Sequence, residues 1–424
     1  MENHNSDSLI EVTSDNQADV PQTALNQSAA FVGNFRCVGG ACIDTCCSGW
    51  NVSIDKATHY RYKKSAKAEI SEIAKSSIKK IKSGRSASHF SVIKNRENGD
   101  CPFMTSCGWC KVQTEMGEQA LSKTCNTYPR IITRCGGETY ISASLSCPEA
   151  ARLCLQNEHS ADLEPASETL MKQFDSGKSF HILSDAAFCE DSKLLQSALL
   201  QIFKDSEMSI AEQFMTAELL MTKLQNARGD FTYPEFHQIV VSLKKASKQL
   251  REFANDKDAA AFQLDVFGGL FLDASSLTLS EKFETILNKV RRAIRYDDPD
   301  QKVTLSNYQS AKSDVFEPFN AKRRYLIGNF VRTQLLATPS VFNLNNKSAK
   351  NQLHKIATKT AAVKFVIVGL AFYNAHEFNK QTYVDCISSV LRAIEHNVEL
   401  LRGIERILNR QDGDRLVVNN LLLV

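Results

Sequence analysis

Cys37-Val-Gly-Gly-Ala-Cys42-Ile-Asp-Thr-Cys46-Cys47, continued by Cys101-Pro-Phe, Cys110 and Cys125-Asn-Thr-Tyr-Pro-Arg130, is the part of the sequence that decides how the chain is read. Eleven of the thirteen cysteines lie between Cys37 and Cys154, a density beyond what packing needs. It predicts a region built around a metal centre or an iron–sulfur cluster. The candidate ligands are Cys37, Cys42, Cys46, Cys47, Cys101, Cys110 and Cys125. A disulfide framework is the competing account, and it belongs to small secreted domains. Residues 1–30 have neither a basic start nor an apolar run, so no secretory signal is expected and a cytoplasmic location follows. An odd cysteine total would also leave one thiol unpaired under any disulfide scheme.

On a helix, Cys42 and Cys46 stand four apart and share a face, with Cys37 approaching across the Gly39-Gly40 turn. Adjacent Cys46 and Cys47 are expected to point in different directions. Cys107, Cys135 and Cys154 read as extra, buried thiols. Pro148 suits a first helical position, which puts Cys147 at a helix N-terminus, where the dipole favours a thiolate. Thiolate-rich surroundings suit iron–sulfur or zinc over harder ions.

Working outward, the 424 residues are 43% hydrophobic with a net charge of +3, enough for two or three cores and without general attraction to nucleic acid. Residues 1–30 form an acidic tail expected to be disordered, with Glu2, Asp7, Glu11, Asp15 and Asp19 and no lysine or arginine. Residues 31–155 form the cysteine-rich cluster domain, a loop-and-helix region whose fold the ligands set. Within it, residues 56–96 carry twelve basic residues against Glu69 and Glu72, and Ile70, Ile73, Ala74, Ile78 and Ile81 predict an amphipathic helix with a lysine-rich outer face. That face is read as solvated, with docking of an acidic partner as the alternative. Residues 160–424 read as an all-α domain, with helices predicted over 194–226, 235–254, 279–294, 322–336, 350–375 and 383–409. In the last, Ile387, Val390, Leu391, Ile394, Val398, Leu401, Ile404 and Leu408 make one stripe. The longest apolar stretch, 361–373, contains Lys364 and is shorter than the roughly 20 residues that span a bilayer, so it predicts a buried helix and no membrane insertion. The fold class is therefore mostly α, a metal-cluster domain followed by a helical one.

The spaced elements together, Cys37 through Trp50, Cys101-Pro-Phe, Cys110, Cys125-Asn-Thr-Tyr-Pro-Arg130 and Ser144-Leu-Ser-Cys147-Pro-Glu-Ala-Ala, resemble the bacterial flagellin lysine-N-methylases. Tyr325-Leu326 with Asn329, and Arg392-Ala-Ile-Glu-His396-Asn397, extend the likeness over most of residues 31–410. The resemblance implies methyl transfer from S-adenosylmethionine to surface lysines of flagellin by an enzyme carrying a [4Fe–4S] cluster. No glycine-rich nucleotide turn is present, since Gly268-Gly269 and Gly369 do not fit that pattern. The methyl donor would then need another anchor, such as an iron with an open position. Candidate bases for the substrate amine are Asp44, Tyr128 and Glu149; candidate cofactor-binding residues are Arg130, which can bind a carboxylate, His396 and Asn397. His396 and Arg392 lie opposite the apolar stripe, a position that suits either solvent or function. A metal-binding or sensing protein without turnover, with zinc as the alternative metal, and a helical adaptor with a structural metal are the other readings.

Overall fold

The structure, a computed structural model, describes residues 26–135, 138–172, 181–182, 190–226, 233–252, 256–273, 279–343 and 349–409. Among the described residues helix outweighs strand, 63% to 9%, as the periodicity requires. The expected tail falls mostly on residues 1–25, outside the described residues; its last part, Asn26–Ala29, is a strand.

The cysteine-rich region holds more regular structure than expected. Its strands are β1 (Asn26–Ala29), β2 (Val52–Ile54), β3 (Ile78–Lys80), β4 (Ser91–Ile93), β5 (Arg130–Cys135) and β6 (Glu138–Ala143), followed by β7 (Leu163–Pro165) and β8 (His181–Ile182). They form a five-stranded sheet, β7-β1-β6-β5-β8, and a three-stranded sheet, β2-β4-β3. The predicted lysine-rich helix runs only from Ala68 to Ser77, and Ile78 begins β3. Ser77 Oγ donates back to Ile73 O at 2.6 Å and Ser76 Oγ to the same carbonyl at 3.0 Å, which weakens the helix where it stops. Ile70, Ala74 and Ile78 are buried, whereas Lys75, Lys79 and Lys82 are exposed.

Two cores result. Val52, Ile54, Tyr62, Ile70, Ile78, Ile93, Phe103 and Val112 pack as a small core beneath the cysteines, with Cys47, Trp50 and Cys110 against its edge. The five-stranded sheet and the Pro148–Cys154 helix share the larger core of the helical half. That core centres on the Ala349–Tyr373 helix, which is long and apolar enough to cross a membrane; 83% of its most apolar stretch is buried inside the protein, so it is a core helix.

Two predicted helices are broken. Residues 194–226 divide into Glu190–Ile202 and Ile210–Asn226, the second opened by a reciprocal cap in which Glu212 N donates to Ser209 Oγ (3.3 Å) and Ser209 N to Glu212 Oε2 (2.6 Å). Residues 383–409 divide into Lys380–His396 and Val398–Asn409, because Asn397 Oδ1 accepts from the backbone N–H groups of Glu399 (3.0 Å) and Leu400 (3.2 Å). The break changes one member of the buried stripe: Leu400 is buried in place of Leu401, which is 39% exposed, and Ile404 stays buried as expected.

The Tyr325–Ala337 helix is tied to the end of the cysteine-rich region by buried Asn329, whose Nδ2 donates to Cys154 O (2.9 Å) and Asn157 O (2.8 Å). Asn329→Ala removes both bonds and leaves Cys154 O without a donor among the described residues, Asn157 O keeping Ser160 N at 3.2 Å, and should lower stability by about 1–3 kcal/mol. A lowered urea midpoint at unchanged slope is the expected result; an unchanged midpoint would show that water replaces the amide.

Candidate functional site

Local contacts fold the cysteine segments onto one another. Gly39 and Gly40 open a single 3-10 turn, Gly39–Ala41, laid flat against Trp109: a Cβ on Gly39 would sit 2.5 Å from the indole, and one on Gly40 2.0 Å from Cys107 O. This approach, open only to glycine, sets Cys37 and Cys42 beside the 107–110 turn. Cys42 is extended and no helix connects it to Cys46, so the shared helical face does not form. Cys46 and Cys47 occupy a turn held by Trp50 Nε1 donating to Cys46 O (2.7 Å) and Cys101 N donating to Cys47 O (2.7 Å). Cys125 follows Ser122, which caps the Lys123–Thr127 helix by accepting from Cys125 N at 3.1 Å.

The thiols lie within electrostatic reach of one another. Cys47 acts on Cys101, Cys110 and Cys125, and Cys37 acts on Cys42, Cys110 and Cys147. Cys46 and Cys47 share a hydrogen bond instead of diverging; it raises Cys46 and lowers Cys47 to about 7. Cys147 joins this network as an eighth thiol. It does stand at the N-terminus of the Pro148–Cys154 helix, but burial overrides the dipole and pushes its pKa up to about 12. Cys101 is also pushed to about 12, first by burial and then by its neighbours' charge. Cys154 is a buried thiol as expected, hydrogen-bonded to Thr333 Oγ1 at 3.3 Å. Cys107 is instead exposed, and the Thr105 hydroxyl at 3.2 Å lowers its pKa. Cys189 and the side chain of Cys135 lie outside the described residues.

The structure distributes the other candidates unevenly. Asp44 is ion-paired with Arg392, whose Nη2 also donates to Ser48 O at 2.6 Å. The polar face of the Lys380–His396 helix therefore meets the cysteine loops and is not left to solvent. Glu149 is held by Arg152, which donates through Nε and Nη2, both at 2.7 Å. Tyr128 lies beside the thiols: Cys147 and Cys46 both act on it, and its ring centre is 6.3 Å from that of Trp50. Burial is the main cause that holds its pKa well above the usual phenol value. Arg130 is 8% exposed, stacks over Phe35 and is lowered in pKa by burial, with Cys37 and Cys147 among the charges it feels. Its buried Nε has no partner among the described residues. Asn397 caps a helix, and the side chain of His396 lies outside the described residues.

Soft, clustered thiol donors suit iron–sulfur or zinc in kind. In geometry, no group of three or more His, Cys, Asp or Glu side chains is arranged to hold a metal ion among the described residues. Electrostatic reach is longer than a coordination bond, so both statements hold.

Residues 196–418 match the family described as FliB lysine N-methylase C-terminal domain, and the chain belongs to that family. Proteins named lysine-N-methylase from Salmonella choleraesuis and Salmonella typhimurium are each 26% identical to it over 410 residues, covering 93% of this chain and 98% of theirs. The flagellar biosynthetic protein FliU of Salmonella muenchen is 39% identical over 129 residues, 30% of this chain and 75% of that protein. No solved structure matches.

The spread of thiol environments is directly measurable. In metal-stripped protein at pH 8, iodoacetamide should modify Cys107 at least ~100-fold faster than Cys101, Cys147 or Cys154, because only the thiolate reacts. Peptide mass spectrometry reads the rates, and equal rates would mean that the three buried thiols are open to solvent.

Proposed function

We propose that this protein is a cytoplasmic lysine N-methyltransferase that moves methyl groups from S-adenosylmethionine to ε-amino groups on flagellin, with a [4Fe–4S] cluster held by cysteines among Cys37, Cys42, Cys46, Cys47, Cys101, Cys110 and Cys125. Membership of the FliB lysine N-methylase family supports the transfer, and the flagellar name of one relative supports the substrate.

The observation that carries the reading is Arg130. A buried guanidinium whose Nε has no partner, beside a group of thiols, calls for an anion. The carboxylate of a methionine moiety is an anion of the right shape for its planar fork. Bound iron with an open position would supply a second anchor for the donor's amino and carboxylate groups. With Asp44 neutralised by Arg392 and Glu149 by Arg152, Tyr128, beside the thiols, is the remaining candidate for handling the amine.

Purified without oxygen, the protein should be brown with a broad band near ~400 nm, lost together with iron and sulfide in Cys42→Ser and Cys46→Ser but retained in Cys386→Ser. Retention of the band in the first two variants would remove the cluster from the reading. Arg130→Gln should keep the colour and bind S-adenosylmethionine at least ~10-fold more weakly by calorimetry, about the worth of one charged hydrogen bond. Unchanged affinity would place the donor carboxylate elsewhere.

A further inference from the structure

Tyr128 is the first member of a hydrogen-bonded chain that leads away from the thiols into the helical half. Its Oη lies 3.2 Å from Ser146 Oγ, Ser146 Oγ lies 2.6 Å from Ser144 Oγ, and Ser144 Oγ donates to Glu395 Oε2 at 2.7 Å. The register of β5 and β6, Arg130 opposite Ala143, sets Tyr128 just before one strand beside Ser144 and Ser146 just after the other. Ser144 N, donating to Pro129 O at 2.7 Å, closes that end. Glu395 comes from the Lys380–His396 helix, three residues after Arg392, on the same face.

The direction of this chain is fixed by counting hydrogens. A serine hydroxyl has one hydrogen. Ser144 gives its hydrogen to Glu395, so Ser146 must donate to Ser144, and Tyr128 must donate to Ser146. Tyr128 Oη is left with acceptor lone pairs and no donor to them among the described residues.

We propose that Glu395 is the terminal proton acceptor for the substrate amine, reached from Tyr128 through Ser146 and Ser144. The proposal rests on the lysine methylation argued above. The substrate ammonium donates to Tyr128 Oη, and one proton passes at each link, Tyr128 to Ser146, Ser146 to Ser144, Ser144 to the Glu395 carboxylate. Each hydroxyl ends with one hydrogen and Glu395 ends as the acid. The freed amine lone pair forms the N–C bond to the methyl of the sulfonium donor while the C–S bond breaks, its electron pair staying on sulfur as a thioether. The relay takes up the proton that would otherwise hold lysine as a non-nucleophilic ammonium.

The test uses the full-length, anaerobically purified protein with flagellin and methyl-labelled S-adenosylmethionine. Glu395→Gln and Ser144→Ala should each lower kcat by ~50-fold or more, within the range of general-base effects, while KM for both substrates stays within about twofold. Ser144→Thr, which keeps a hydroxyl, should recover most of the rate. Infrared spectroscopy gives a readout that needs no turnover: the Glu395 carboxylate band, isolated as wild type minus Glu395→Gln, should shift in Ser144→Ala and in Tyr128→Phe. Full kcat in Ser144→Ala, or a band unmoved by Tyr128→Phe, overturns the relay even though wild type still methylates flagellin. Wild-type protein that transfers no methyl to lysine overturns the methylase reading, and the relay with it.

Discussion

Arg392 is buried at the contact between the cysteine loops and the Lys380–His396 helix, its guanidinium divided between the Asp44 carboxylate and the Ser48 carbonyl. Withdrawing such charges from water costs several kcal/mol per ion, offset only where each finds a partner in good geometry. Loss of either partner leaves the other uncompensated, at about 3–5 kcal/mol. The constraint is therefore strict, and it acts on the loop between Cys42 and Cys46. One turn further along, Glu395 makes the second contact, to Ser144. A single helical face thus fixes two segments about a hundred residues apart in the chain, the cysteine loop and the end of β6.

The β5–β6 pairing supplies the other half of the frame. It belongs to the large core, whereas β2, β3 and β4 enclose the small one beneath the cysteines. Thr124 Oγ1, donating to Ser53 O at 2.9 Å, joins the segment carrying Cys125 to the small core just before the chain enters β5. The thiol network spans the line between the cores, with Cys47, Cys101 and Cys110 on one and Cys147 in the other.

What the sequence made legible follows from how local each signal is. The cysteine segments do collect, and Pro148 does start a helix, because spacing and turn chemistry act within a few residues. The five-stranded sheet was hidden. Ile131-Ile132 breaks the alternation of β5, and β1 to β6 is a parallel pairing between residues more than a hundred positions apart. Yet the runs on either side of Gly136-Gly137 carried a readable hairpin signal. The two helix breaks were also legible, as Ser209-x-x-Glu212 and as Asn397, but the continuing apolar period concealed them. Glu395 was not legible at all. It lies inside the Arg392 to Asn397 motif, and only its partner 251 residues away distinguishes it from any other glutamate on a helix.

The Ala349–Tyr373 helix carries a consequence for biogenesis. Its apolar surface is covered partly by the Lys380–His396 and Val398–Asn409 helices, which leave the ribosome after it. During that interval the nascent chain presents a 25-residue apolar helix with the length and composition of a membrane anchor. Productive synthesis thus depends on the earlier helical segments, above all Glu281–Ala293 and Ala311–Phe316, sheltering it first. A chain stopped before residue 380 would expose the protein's most insoluble surface to every chaperone and bilayer nearby.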